Sequence, residues 1–295
     1  IWKKLNSTWT RIGNIIDGAT FQDNAGTVRI SAEGNIVAIG TPRNDSNGTN
    51  SGHVRIFQYN DLTKKWDQLG QNIIGEAEYD WSGSGISLSS DGKTVAIGAY
   101  GNDGAVGSSA GHVRIFRYTN ETWTQLGGDI NGEEIQAQIG NAISLSSNGE
   151  IIAIGSNKSG LNGGNQYGNG NVRIFEYKNS NNSWVQRGQD IDGDTNSGLG
   201  VSVGISKNGK FIAIATLSNS IHAYKFEDNK WEQHGSSFAE GFQWGYPAIS
   251  DDGSIISKGS IQGSGASNAR FFQLQGTEWK QVIQIINETP TALIL

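Results

Sequence analysis

The chain has 295 residues, 42 glycines against three prolines, no cysteine, no methionine and a formal net charge of −6. The missing cysteines exclude disulfides, thiolate zinc sites and thiol nucleophiles together, and the evenly scattered, mildly acidic charge leaves no basic stripe for a phosphate backbone. Apolar β-branched runs recur between the glycine clusters, which excludes a disordered low-complexity chain.

Residues 1–20 contain Trp9-Thr10-Arg11-Ile12-Gly13 and read as two outer strands with no inner ones. Five units follow, at 21–72, 73–130, 131–190, 191–237 and 238–285. Each has a Gly-containing dipeptide between two short apolar segments: Glu33-Gly34, Asp91-Gly92, Asn148-Gly149, Asn208-Gly209 and Asp252-Gly253. Such dipeptides predict a hairpin of strands A and B with a two-residue turn, both turn residues at φ > 0. Strand B is nearly all apolar, as in Ile36-Val37-Ala38-Ile39-Gly40 and Ile151-Ile152-Ala153-Ile154-Gly155, which suits a strand covered on both faces. Strand C alternates, as in Gly52-His53-Val54-Arg55-Ile56-Phe57, Gly111-His112-Val113-Arg114-Ile115-Phe116 and Gly170-Asn171-Val172-Arg173-Ile174-Phe175. A tryptophan then opens strand D: Trp66, Trp123, Trp184, Trp231 and Trp279. Residues 286–295, ending Thr291-Ala292-Leu293-Ile294-Leu295, read as a closing inner strand.

Four antiparallel strands per unit, repeated, predict an all-β fold: a β-propeller of four-stranded antiparallel blades in one domain. Six blades are expected, five complete and one composite closed by both termini; five blades, or a piece of a larger ring, are the alternatives. The chain opens on Ile1 rather than methionine, which suggests a processed or excised form, with no signal peptide in what remains. The apolar run Ala292–Leu295 is too short to span a bilayer.

These units resemble FG-GAP repeats, the blades of integrin α-subunit heads and of many secreted and surface proteins. The resemblance rests on Ile139-Gly140, Leu199-Gly200 and Trp244-Gly245 for the "FG" element. Gly40-Thr41-Pro42, Gly98-Ala99-Tyr100 and Gly155-Ser156-Asn157 correspond to "GAP". It implies a secreted or cell-surface, non-catalytic module for adhesion or assembly. The calcium loop that many such repeats carry between strands A and B has no counterpart here. Asp129-Ile130-Asn131-Gly132-Glu133 and Asp190-Ile191-Asp192-Gly193-Asp194 have oxygen-rich spacing that can hold calcium but lack further ligands, so no metal and no cofactor are expected.

His53 and His112 share one repeat position and read as structural. The Arg55, Arg114, Arg173 and Arg270 column is expected to pair with carboxylates or stack on the strand-D tryptophans, which themselves read as packing anchors. The long B–C loops, residues 41–52, 99–111 and 156–170, predict a raised rim on one face, where binding usually resides. Candidate contact residues are Asp45, Asn47, Tyr100, Asp103 and Tyr167 on these loops, with Trp81 and Trp244 near the D–A connections. Sequons at Asn6, Asn44, Asn47, Asn120, Asn157 and Asn181 are candidate glycan acceptors, and one at Asn287 precedes Pro290. The expectation is therefore a non-catalytic extracellular module meeting a protein or glycan at the B–C face, alone or as a component of a larger surface assembly. No nucleic acid and no membrane insertion are expected. A propeller lectin and a polysaccharide-degrading enzyme are the alternatives.

Overall fold

The computed structural model describes residues 1–18, 23, 26–104, 106–156, 168–239, 245–261 and 267–287. Within these every regular element is a strand, and no helix is long and apolar enough to cross a membrane. An N-terminal hairpin pairs β1 (Trp2–Leu5) with β2 (Thr8–Arg11). The first blade is β3 (Thr27–Ile30), β4 (Ile36–Thr41), β5 (His53–Asn60) and β6 (Lys65–Gln68), with the short β7 (Ile73–Ile74) also pairing β5. The second is β8 (Gly85–Leu88), β9 (Thr94–Ala99), β10 (His112–Thr119) and β11 (Thr122–Gln125), with β12 (Ile130–Asn131) on β10. The third is β13 (Ala142–Leu145), β14 (Ile151–Ser156), β15 (Asn171–Lys178) and β16 (Ser183–Gln186), with β17 (Ile191–Asp192) on β15. The fourth is β18 (Ser202–Ile205), β19 (Phe211–Ala215), β20 (Ser220–Glu227) and β21 (Lys230–Gln233), with β22 (Phe238–Ala239) on β20. The fifth is β23 (Pro247–Ile249), β24 (Ile255–Ile261), β25 (Ser267–Gln275) and β26 (Glu278–Asn287). All pairings within the blades are antiparallel, as the repeat predicts.

The A–B connection differs from the two-residue turn expected of Asp-Gly and Asn-Gly. Five residues, such as Ser31 to Asn35, separate the strands, and only the glycine has positive φ: Gly34 at 70°, Gly92 at 73° and Gly149 at 70°. The serine that opens each connection explains this. Ser89 Oγ accepts the Thr94 N–H (2.9 Å) and donates to Asp91 Oδ1 (2.6 Å). Ser146, Ser206 and Ser250 accept the equivalent N–H bonds from Ile151, Phe211 and Ile255. The hydroxyl replaces a backbone acceptor, so the strands are closed by a side chain rather than by the tightest hairpin.

The core lies between blades. Ile97 and Val95 pack with Ile36, Ala38 and Ile56 of the blade before, and Ile152 and Ile154 with Ile115 and Val113. The tryptophans are the packing anchors expected of them, each donating its indole N–H to a carbonyl of the preceding unit. Trp123 donates to Leu69 O (2.7 Å), Trp184 to Leu126 O (2.8 Å), Trp231 to Arg187 O (2.7 Å) and Trp279 to His234 O (3.2 Å). Trp66 donates to Ile12 O (3.1 Å), so the β1–β2 hairpin meets blade one as each strand D meets the next blade. Two outer strands are what residues 1–20 are expected to supply. The proposed closing strand, 291–295, lies outside the described residues.

Candidate functional site

Backbone pairing first fixes where side chains can meet. The B–C loops are not a free-standing rim: they bond to the D–A connection that leads into the next blade. Tyr79 N donates to Thr49 O (2.8 Å), Trp81 N to Asn50 O (3.1 Å) and Ser82 N to Ser51 O (3.0 Å). The second loop repeats the arrangement, with Gln136 N on Ser108 O (2.9 Å) and Gln138 N on Ser109 O (3.1 Å). To present N–H groups at this spacing, Tyr79, Trp81, Gln136 and Gln138 take positive φ between 50° and 61°. Strained backbone of this kind persists only where neighbours hold it.

Two of these connections and the loop between them enclose a cavity of about 670 Å³, lined by residues that include Glu76, Asp80, Trp81, Asp103, His112 and Asp129. His112 is the first residue of β10 and only 2% exposed. Its Nδ1 lies 3.7 Å from Glu76 Oε2. Glu76 is held in turn by Arg114, whose Nη1 donates to Glu76 Oε1 (3.2 Å) and whose Nη2 donates to Ile74 O (2.8 Å). Asp129 Oδ1 accepts from Gln125 Nε2 (2.6 Å). Burial, and then the Arg114 charge, hold the His112 imidazole below the ordinary histidine range against the pull of Glu76, Asp129 and Asp80. A neutral imidazole facing two carboxylates is the result.

Ligand atoms of Glu76, His112 and Asp129 all lie within 4.8 Å of one another, a spacing that suits a divalent ion or a shared water. The neighbouring blades do not reproduce the set. Blade three has Asn171 at the histidine position, with Glu133 bonded to Arg173, around a space of only about 20 Å³. Blade one repeats only the amide–carboxylate bond, Asn44 Nδ2 donating to Asp23 Oδ1 (3.0 Å) as Asn102 Nδ2 donates to Asp80 Oδ1 (3.2 Å).

Of the residues singled out from sequence, Trp81 and Asp103 line the cavity. Tyr100 stacks on Trp81, with ring centroids 5.1 Å apart at 17°, and burial raises its hydroxyl pKa. Asn47 borders the site by donating to Gly75 O (3.0 Å) and Glu76 O (2.7 Å). Asp45 and Asp103 mainly fold their own loops, accepting from Asn50 N (2.8 Å) and Ser109 N (3.0 Å). Tyr167, Trp244 and Asn157 lie outside the described residues. Among the sequons, Asn6, Asn120 and Asn181 sit at exposed turns. Asn44 is 3% exposed and its amide is committed to Asp23, so a glycan there would have to displace that bond. Arg114 and Arg173 pair with the Glu76 and Glu133 carboxylates, as expected, Arg55 donates to Asp17 O (2.6 Å), and each of the three stacks on the phenylalanine two residues on rather than on a tryptophan.

Sequence reasoning misses Glu76, His112 and Asp129 as a group. Repetition at position 53 masks His112, and Asp129 belongs to a motif that is short of ligands by itself; the missing ligands come from the previous connection.

No family model matches the chain, and no curated protein matches it. Solved structures do. A provisionally named 6-phosphogluconolactonase from Bacteroides uniformis is 16% identical with a TM-score of 0.62, over 96% of this chain and 82% of its own. A protein from Lactobacillus plantarum is 10% identical with a TM-score of 0.64, over 96% and 76%. The periplasmic gluconolactonase of Pseudomonas aeruginosa is 13% identical with a TM-score of 0.56, over 88% and 71%. The resemblance to FG-GAP repeats is thereby corrected: the Gly-x-Val-x-Ile-Phe and Ile-Gly elements that carried it are demands of blade packing, not marks of that family. The expectation of a non-catalytic adhesion or structural module is corrected with it, because two of these three structures are named for lactone hydrolysis and none for adhesion. At these identities the likeness establishes the fold, an all-β propeller of four-stranded antiparallel blades.

Proposed function

We propose that this chain is a hydrolase of small lactones of polyhydroxylated acids, acting at the cavity between blades one and two. The observation that carries the proposal is the buried, neutral His112 set against Glu76 and Asp129 in an open cavity of about 670 Å³. The lactonase names of similarly folded proteins support the reaction class.

The chemistry follows from the geometry. A water held between His112 and Asp129 gives a proton to the free imidazole nitrogen and attacks the lactone carbonyl. Glu76, fixed by Arg114, steadies the imidazolium that forms. The tetrahedral intermediate collapses with cleavage of the ring C–O bond, and the imidazolium returns its proton to the leaving alkoxide. Water is consumed and a hydroxy acid is released. Trp81, backed by Tyr100, offers a flat surface to the sugar-like ring, and the amides of Asn102 and Asn131 offer donors to its hydroxyls. A secreted or periplasmic location belongs to the same proposal, supported by the periplasmic gluconolactonase among the similar structures.

The test is acid release in a pH-stat over a panel of five- and six-membered aldonolactones, simple aryl esters and glycosides. Turnover of at least one lactone well above its spontaneous hydrolysis is expected. A panel that shows no turnover above the spontaneous rate would remove the proposal.

A further inference from the structure

A second site lies on the propeller axis, away from the His112 cavity. The inner strands of all five blades surround a channel of about 190 Å³, the space of roughly six waters. Strand register makes one layer of this channel directly comparable between blades. Arg29 pairs with Ala38, Ser87 with Ala96, Ser144 with Ala153, Gly204 with Ala213 and Ala248 with Ser257. Four blades thus place serine, glycine or alanine at a position where the first places an arginine. The small side chains admit the next blade, Ser87 Oγ accepting the Leu145 N–H (2.9 Å) and Ser144 Oγ the Ile205 N–H (3.2 Å), while Arg29 puts a charge beside the channel.

Among the described residues that charge has no carboxylate counter-ion. Arg29 Nη1 donates to Val28 O (2.9 Å), and no carboxylate pairs with it among the described residues. Nor does any described acidic side chain line the channel. Arg29 keeps access to water along the channel, yet the enclosing blades disfavour its charge by desolvation, which lowers its pKa. The other polar groups are donors in waiting. Ser202, 5% exposed, lines the channel with a hydroxyl that has no hydrogen-bond partner, and Asn141 and Tyr246 line it with an amide and a phenol. A buried hydroxyl left unbonded costs stability unless something completes it. One guanidinium, two hydroxyls and an amide, without a carboxylate, are chemistry for a small oxyanion.

We infer that this axial channel binds a carboxylate- or phosphate-bearing anion, with Arg29 as its counter-ion and Ser202 among its donors. The inference is independent of the lactonase proposal. Its test titrates the whole chain with inorganic phosphate and, separately, acetate by calorimetry and thermal shift, with sodium chloride at matched ionic strength as control. Phosphate or acetate should bind at one site and raise the melting temperature beyond the chloride control. Arg29→Gln should weaken that binding at least tenfold, Ser202→Ala severalfold, and Arg29→Lys should retain most of it. Should Arg29→Gln fail to fold, the Ser202→Ala and Arg29→Lys variants decide the matter. Tighter binding of phosphate than of acetate would identify a phosphate-bearing anion, and tighter binding of acetate a carboxylate. No binding of either probe above the chloride control, or equal binding by wild type and Arg29→Gln, would overturn the inference.

Discussion

The glycine near the end of strand B in blades one, two, three and five, where blade four carries Ala215, offers a test of why the repeat has its sequence. At Gly98 an added Cβ would fall within 3 Å of the oxygen, carbonyl carbon and Cα of Gly140, all backbone of the next blade. Gly40 faces Gly83 in the same way, and Gly155 faces Gly200. No rotamer change relieves a clash between two backbones, so Gly98→Ala must push blades two and three apart by roughly 1.5 Å to restore ordinary contacts. Such overpacking costs about 1–3 kcal/mol, and a rigid backbone partner places this case at the upper end. The expected fall in melting temperature is about 5–10 °C, from the ~2–4 °C per kcal/mol typical of larger domains. Gly259 is the internal control: it holds the same place in blade five, and an added Cβ there meets no described residue within 4 Å. Gly259→Ala should therefore shift stability by less than about 1 kcal/mol, the size of the unfolded-state entropy term. The assay is paired thermal and urea unfolding. Equal losses in the two variants would refute the reasoning, because the effect would then come from the strand and not from the neighbouring blade.

Three further outcomes follow from the same structure. His53, His112 and His222 all have pKa values lowered by burial, so the unfolded chain binds more protons than the folded one as pH falls below about 6.5. Stability should decline from pH 7 towards pH 5, and His112→Asn, the residue blade three carries at Asn171, should flatten that slope in pH-dependent melts. Trp123→Phe removes an indole N–H bonded to Leu69 O at 2.7 Å and underfills a pocket in which the residue is 2% exposed; a loss of about 1–3 kcal/mol is expected in urea unfolding. In the first blade, Val28 and Ile30 of the inner strand are half-exposed. If residues 291–295 form the closing strand, deleting 288–295 should cost about 2 kcal/mol from lost cover over these two side chains, measured as a lower urea midpoint.

The fold was legible because its signals are local and repeated. Asp91-Gly92, Ile97-Gly98 and Trp123 each report one turn, one blade contact and one strand, and each recurs at the same place in its unit. The A–B turn was less legible: Ser89 competes with backbone for the Thr94 N–H, and serine is too common to announce that role. The candidate site was mostly hidden for a different reason. Glu76, His112 and Asp129 come from two connections and a strand end, and no spacing rule links positions brought together by blade stacking. Trp81 and Asp103 were found because they broke the repeat or sat on a long loop. Family assignment from repeat wording failed where the wording expressed packing: an Ile-Gly that admits Gly140 against Gly98 is required of these blades whatever the chain does.

The most direct test of the proposed function is the rate constant kcat/KM for the preferred lactone, measured against pH in wild type and in His112→Asn. General acid–base catalysis by one side chain is worth about 10²–10⁴ in rate. A loss in kcat of about 100-fold or more is predicted for the variant, with KM little changed. The acid limb of the wild-type profile should also disappear, because it reports protonation of His112. Undiminished turnover and an unchanged profile in a folded His112→Asn protein would contradict the account and move the chemistry away from this cavity.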